Sequence, residues 1–438
     1  MTDIAIIGGG VAGLAAARTL RTKGYRCDIY ESTGELGGRV RSEYFDDITV
    51  DYGFQWFNSW YPSLKEILGS GEYETLDVCN FKPGIQTLTD SGMAMFADPI
   101  RAPRLVPALM RSHVRSAMTF KEFMRLQRWI GSEIPHRSSL EVRSIRDAKA
   151  ACDVSVAESL DHRGVTGRMR TCVVDPVIEA FMVDKEGRSS ATFAKWMIGT
   201  LLRGTFAVPR LGMGELTSIM ARVHGMVTHL NAHITGLTIL DNGVRVSVDG
   251  APDATYRKVI LALQPSEERS LLDSIGWVQP PLESVGCSTW WFVSDEPIDD
   301  NGLITVDGCK RTPISVAAEV TSASPEYAPG RHLVAGSVVH NSLNDSISDL
   351  PTDLEMRQHL GQLFDVDSSH WDLVTRHDIA EAKPIIPPTR AVSKKGQKFC
   401  VDDKVFLAGV QYATPTLDGA IRSGQRAAQH VANALDTP

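Results

Sequence analysis

Ile4-Ala5-Ile6-Ile7-Gly8-Gly9-Gly10-Val11-Ala12-Gly13 begins the first legible unit of this chain, and Cys27-Asp28-Ile29-Tyr30-Glu31 closes it. The apolar run reads as a buried strand, Leu14 to Lys23 as a helix, and Cys27 to Tyr30 as a second strand. Strand, glycine turn, helix, strand and acid in this order make a dinucleotide-binding βαβ unit. Gly8 permits the tight turn out of the strand. Gly10 lets a pyrophosphate approach the backbone, and Gly13 lets the helix lie close to the strand. The first-turn amides of Val11 and Ala12, at the positive end of the helix dipole, favour phosphate. Glu31 lies 18 residues beyond Gly13, where a carboxylate accepts hydrogen bonds from ribose hydroxyls. The competing reading is an ordinary βα turn that binds nothing. Three consecutive glycines with an acid at the end of the second strand speak against it. The fingerprint leaves NAD(P) and FAD open.

The 438 residues allow two or three domains or one interleaved pair. Hydrophobic residues at 43% and charged residues at 22% give a globular balance, and a net charge of −8 argues against nucleic acid as a partner. The seven cysteines are scattered without C-x-x-C spacing. Free thiols in a reducing, cytoplasmic compartment and no metal site are expected. The opening strand leaves no room for a signal peptide, and no apolar run approaches the roughly 18 residues of a membrane span.

Beyond Glu31, Gly37-Gly38-Arg39 forms a second glycine turn whose arginine suits a pyrophosphate. Asp51-Tyr52-Gly53-Phe54-Gln55-Trp56-Phe57 follows. With the fingerprint, these blocks resemble the FAD-dependent amine oxidase superfamily, which includes monoamine and polyamine oxidases, protoporphyrinogen oxidase and the phytoene desaturases. The resemblance implies an α/β fold. A Rossmann-like FAD-binding domain of the glutathione-reductase type is interleaved with an α+β substrate-binding domain. It implies non-covalent FAD, with Gly38 and Arg39 at the pyrophosphate and Gly53, Phe54, Gln55 and Trp56 beside the flavin ring.

Two later blocks extend the likeness. Pro209-Arg210-Leu211-Gly212-Met213-Gly214-Glu215-Leu216 resembles a turn opening a helix, expected over Leu216–His224. Val227 to Ile234 reads as one strand, and the resemblance puts the backbone of Ile234 at the adenine. Leu237–Leu240 and Val244–Val248 flank Asp241-Asn242-Gly243, a hairpin signal. Near the end, a buried strand from Val405 stops at Gly409, and a helix runs from Thr416 or Leu417 to Leu435. The family places that helix N-terminus at the flavin pyrimidine, with Gly409, Val410, Thr416, Leu417 and Ala420 around the cofactor. The implied FAD-binding domain comprises 1–68, 205–265 and 396–438. Residues 69–204 and 266–395 form the substrate-binding domain, with a helical lobe at about 98–204.

Departures from the pattern bear on the chemistry. Relatives carry an aspartate for the ribityl chain where this chain has Val410, and Gln411 is a candidate replacement. Monoamine oxidases place a lysine near flavin N5, and the segment from Gln264 to Leu272 has none. Thr414, Pro415, Thr416 and Leu417 occupy the stretch where those oxidases set an aromatic cage, with Tyr412 the nearest aromatic. No cysteine sits where those enzymes attach flavin covalently. These absences, and the layout around Trp290-Trp291-Phe292 and Pro384, favour the phytoene-desaturase-like branch. The expected activity is that of an FAD-dependent oxidoreductase, a dehydrogenase or desaturase. It moves a hydride from a carbon of a small apolar substrate to flavin N5 and passes the electrons to oxygen or a quinone. An amine oxidase with a non-standard cage, and a flavin-dependent isomerase or non-catalytic flavoprotein, stay open. No side chain is assigned a catalytic role. His113, His162 and His233 read as surface or core residues.

One stretch stands apart in composition. Between 100 and 130 lie Arg101, Arg104, Arg111, Arg115, Lys121, Arg125 and Arg128 against the single acid Glu122, interleaved with apolar residues. One reading is peripheral docking on the inner face of an anionic membrane. The other is a solvated basic face on helices packed into the substrate domain.

Overall fold

Short, wholly apolar strands with no alternation are those of a parallel sheet covered on both faces. Ile4–Ile7 and Val405–Leu407 are of this kind, and Lys258–Leu261, apolar after its first residue, lies between them. The computed structural model describes residues 3–131, 153–201, 203–280, 282–340, 349–388 and 399–436. Its first sheet runs, edge to edge, through Met226–His229, Cys27–Tyr30, Ile4–Ile7, Lys258–Leu261, Val405–Leu407 and Cys400–Val401. All neighbours pair in parallel except the last two.

Alternate side chains of these strands enter different cores. Ile4 and Ile6 join a core with the helix Val11–Thr22 and the C-terminal helix Leu417–Asp436. Ala5 and Ile7 join another with Ile234, Leu237, Val244, Val246, Leu271 and Leu272. That second layer is a three-stranded antiparallel sheet, Ile234–Leu240, Gly243–Val248 and Ala254–Tyr256, together with the helix Pro265–Ser274.

A seven-stranded sheet stands beside the first. Its order is Asp372–Pro384, Ser284–Ser294, His332–His340, Val316–Glu319, Ile304–Asp307, Gly84–Thr89 and Gly92–Ala97. Only Ile304–Asp307 and Gly84–Thr89 pair in parallel. The helix Asp353–Phe364 covers one face and is opened by a reciprocal capping box of Thr352 and Glu355. Its Met356 and Leu360 pack with Trp290 and Phe292. A small sheet of Phe57–Asn58, Phe206–Pro209 and Val78–Asn80 joins the two halves. Short helices fill most of 103–201.

Several expectations shift. The stretch from Val227 to Ile234 is not one strand: it breaks after His229, and Asn231 takes a φ of +53° before Ile234 opens the next strand. The helix expected from Leu216 begins at Met213 and ends at Met220, because the preceding turn closes at Gly212 with a φ of +104°. Gly69, with a non-helical backbone at a φ of +74°, divides Pro62–Thr75 into two helical pieces. Among the described residues no helix is long and apolar enough to cross a membrane. Of the cysteines, Cys152 lies outside the described residues, and the other six are free.

Candidate functional site

The first strand hands the chain to Gly8, whose φ of +102° favours glycine. A Cβ there would stand 2.4 Å from the Ala262 carbonyl oxygen, and one at Gly13 would stand 2.0 Å from that of Gly8. The protein itself requires these two glycines. Gly10 differs. Its backbone is extended, with φ −74° and ψ −178°, which any residue adopts. A Cβ there would find its nearest atoms at 3.9 Å (Gly37 O) and 4.0 Å (Gly38 Cα). No side chain caps the helix that starts at Val11, so the amides of Val11 and Ala12 have no capping side chain. The second glycine turn bridges Gly10 at Gly37, and Gly37 N–H donates to Gly9 O at 2.9 Å. Uncapped amides beside an open space ringed by glycines fit a diphosphate.

Glu31 is buried beside this cradle. Its Oε2 accepts from Gly9 N at 2.9 Å, and its Oε1 accepts from the amide and hydroxyl of Thr33, each at 2.9 Å. Oε2 keeps a lone pair for a ribose hydroxyl. Ala232 N donates to Glu31 O and Asn231 N to Thr33 O, both at 2.9 Å. The turn leading into Ile234 is thereby sewn along the same edge. The Ile234 side chain is itself core.

Arg39 has a role the sequence did not reveal. Its Nη1 donates to the carbonyls of Glu381 at 3.0 Å and Ala382 at 2.8 Å. These close the longest strand of the second sheet. Burial lowers the Arg39 pKa against the pull of Glu381 and Glu267. Nη1 thereby ties the glycine turn to the other half of the molecule, while Nε and Nη2 have no partner among the described residues. Glu267 is itself raised by burial and by the neighbouring Glu31.

Gly53 to Trp56 are held from the second sheet. Gly53 N donates to His377 Nδ1 and Phe54 N to Thr289 Oγ1, at 3.2 and 3.3 Å. An accepting Nδ1 leaves the His377 proton on Nε2, 3.2 Å from Glu43 Oε2. Gln55 turns inward, donating to Arg39 O at 2.5 Å and Tyr52 O at 2.7 Å. Phe54 and Trp56 pack on each other at 4.7 Å and head an aromatic cluster. Trp291 and Phe81 meet Phe54, while Phe181 and Phe206 meet Trp56. The Trp291 Nε1 is buried with no hydrogen-bond partner among the described residues. Lys383 Nζ donates to Phe181 O at 2.8 Å, and burial pushes its pKa down to about 8.

Asp51 pins the same segment from below. Its carboxylate accepts from Ser42 Oγ at 2.6 Å, Met213 N at 2.7 Å and Tyr327 OH at 2.8 Å. Burial outweighs those bonds and lifts its pKa to about 6.

At the chain's end, Gly409 takes a φ of +140°, and Val410 opens a single 3₁₀ turn. Thr416 caps the last helix, its Oγ1 accepting from Gly419 N at 3.1 Å. The first-turn amides of Leu417 and Asp418 carry no side-chain cap. Ala420 is buried in the helix that crosses the first one, where a Cβ on Gly424 would come within 2.1 Å of Ala12 O. The Nε2 of Gln411, the candidate replacement for the ribityl aspartate, is spent on Leu263 O at 3.0 Å and Glu268 at 2.7 Å, so an acceptor role there would fall to its Oε1. Tyr412 is likewise engaged. Its hydroxyl bonds Glu268 and its ring packs against Phe399.

The sequence profile of the flavin containing amine oxidoreductases matches residues 11–432. The chain belongs to the flavin-containing amine oxidoreductase family. Its cofactor is therefore a flavin, and its class is oxidoreductase. Polyamine oxidase 5 of Oryza sativa subsp. japonica is 36% identical over 79 residues, covering 17% of this chain and 16% of that protein. A carotenoid phi-ring synthase of Streptomyces griseus is 39% identical over 70 residues, covering 15% and 14%. The chain thus spans about a sixth or less of the curated relatives it matches. In structure, putrescine oxidase bound to putrescine superimposes with a TM-score of 0.71 at 17% identity, covering 98% of both chains. The fold is that of the family throughout.

Thr289, His377, Asp51 and Lys383 escaped the sequence reading as parts of the site. Asp51 lay within a quoted motif. The others sit on sheet strands whose pairing alone brings them to Gly53, Phe54 and Phe181.

Proposed function

We propose that this chain is an FAD-dependent dehydrogenase or desaturase that acts on a small, largely apolar substrate. FAD sits non-covalently in a Rossmann-like domain of the glutathione-reductase type, comprising 1–68, 205–265 and 396–438. The substrate domain comprises 69–204 and 266–395. When bound, flavin supplies a two-electron acceptor at N5 for a hydride leaving substrate carbon. Gly8, Gly10, Val11, Ala12, Gly13, Gly38 and Arg39 hold the pyrophosphate. Glu31 takes the adenosine ribose, and the turn into Ile234 lies along the adenine. Gly53, Phe54, Gln55 and Trp56 shape the wall beside the ring. Gly409, Val410, Thr416, Leu417 and Ala420 present the last helix's N-terminus, whose dipole favours added negative charge on the ring.

The observation that carries the apolar substrate is the aromatic cluster of Phe54, Trp56, Phe181, Phe206 and Trp291 on residues 53–56. Its rings are apolar and largely buried, which favours carbon over an ion beside them. Tyr412, bound to Glu268, does not contribute to a cage for an amine. Anaerobic mixing tests the reading. Polyene or unsaturated fatty substrates should bleach the yellow flavin absorbance, with oxygen or a quinone restoring it. Bleaching by primary amines or polyamines alone, with release of hydrogen peroxide in air, would replace this reading with amine oxidation.

A further inference from the structure

The basic stretch noted in the sequence is a built surface rather than a loose one. Ala102 and Leu105 pack with Met95 and Leu303. Ala117, Trp129 and Ile130 are buried in the main core, and Trp129 Nε1 donates to Ser159 Oγ at 2.9 Å. These anchors fix the helices Val106–Arg111, Val114–Ala117 and Phe120–Gly131 with one side outward.

Large apolar side chains are exposed along it. Ile100, Met110 and Phe120 are 89%, 83% and 78% exposed, and Met124 is exposed as well. On the longest helix, Phe120, Lys121, Met124 and Arg128 recur at helical spacing and are all exposed. Arg104, Arg115, Lys121 and Arg128 have no partner among the described residues. Arg101, Arg111 and Arg125 bond only backbone carbonyls, of Gly204, Pro107 and Gly164. The stretch's one acid, Glu122, is spent on the amide and hydroxyl of Thr119, at 2.7 and 2.8 Å. A patch of seven cations and four protruding apolar side chains therefore sits on a chain whose net charge is −8.

We propose that residues 100–131 dock this protein on an anionic lipid surface, with Ile100, Met110, Phe120 and Met124 entering the headgroup and acyl boundary. Charge complementarity selects the surface, because seven cations against a single carboxylate meet anionic headgroups. The apolar side chains select lipid over a protein groove. Ile100 lies in the turn before the first of these helices, Met110 on that helix, and Phe120 and Met124 one turn apart on the longest, all among cations, as in an interfacial helix.

The test uses the full-length flavin-loaded protein and vesicle flotation. One vesicle set contains phosphatidylcholine alone, and the other contains an equal part of phosphatidylglycerol. Binding to the anionic vesicles at low salt, at least tenfold above the neutral ones and reduced by high salt, is expected. Met110→Glu with Phe120→Glu should lower that binding at least tenfold, and so should Lys121→Glu with Arg128→Glu. Flavin absorbance and melting temperature should be unchanged in both. Arg21→Glu with Arg222→Glu, cations on another face, should bind as the parent does. Failure of the parent to float with anionic vesicles at low salt would overturn the proposal. Undiminished flotation of both patch variants would do the same. Neither result depends on which substrate the enzyme oxidises.

Discussion

A methyl group at Gly10 would meet open space, and one at Gly13 would strike the Gly8 carbonyl at 2.0 Å. Two glycines of one motif therefore answer to different demands. Gly10→Ala should fold with a stability within about 1 kcal/mol of the parent, since its extended backbone suits alanine. It should nevertheless lose FAD affinity at least tenfold, read by flavin retention on gel filtration. Gly13→Ala should destabilise by about 3 kcal/mol or more through overpacking, seen in thermal melts of the flavin-free protein. Asp51 gives a second prediction at this scale. Its folded pKa, about 6, stands above its ordinary 3.8. Between those values the native state holds more protons than the unfolded one, so this group's stabilisation falls as pH rises through the window. The span corresponds to a few kcal/mol. In Asp51→Asn, urea melts from pH 4 to pH 7 should lack that decline, because the amide does not titrate. Retention of the parent's full slope would remove Asp51 as its source.

Helix ends and strand ends decide how the two halves meet. The helix Asp175–Met182 ends at Val183, in the left-handed region with a φ of +55°, and Lys383 Nζ caps its Phe181 carbonyl from the neighbouring strand. A buried ammonium is costly, and its pKa drops from 10.5 to about 8. From pH 8 to 10.5 the unfolded state holds more protons, so stability from this group rises with pH. Lys383→Met should abolish that rise, measured as the change in urea midpoint between pH 8 and pH 10. The crossing of the first and last helices is a tighter constraint. Gly424→Val would drive a side chain into Ala12 O and should cost about 3 kcal/mol or more. Gly71→Ala is its counterpart, in a helix with no neighbour within 4 Å. It should gain about 0.5–1 kcal/mol in the same melts, because alanine loses less backbone entropy.

For the molecule as a whole, the proposed cofactor cradle is distributed. Its amides and carboxylates come from the first sixty residues, the turn before Ile234 and the last helix, and Arg39 links them to the second sheet. A ligand spanning such pieces stabilises the native state alone. The melting temperature should rise with added FAD, by the equivalent of about 2.7 kcal/mol at a hundredfold excess over Kd. A melting temperature insensitive to FAD would contradict the assembled site.

The local parts were legible in the sequence. The fingerprint and the hairpin at Asn242-Gly243 declare themselves through short-range period and turn chemistry, which neighbours in the chain suffice to set. The strand Asp372–Pro384 did not. It lies at a sheet edge, where polar residues alternate without a clean apolar face, and its pairing with Ser284–Ser294 makes it a strand. The same pairing brings His377 under Gly53 and Lys383 under Phe181. Gln411 and Arg39 make the complementary point. Sequence supplied their donors, but which acceptors they meet depends on carbonyls and carboxylates 140 or more residues away. Those distances close only when the two sheets pack. The sequence by itself determined the strand, glycine turns and acid proposed to grip a dinucleotide, because neighbours in the chain suffice to set such turns. Only the tertiary structure decided what surrounds the reacting end, because that wall is assembled from strands that meet through the fold.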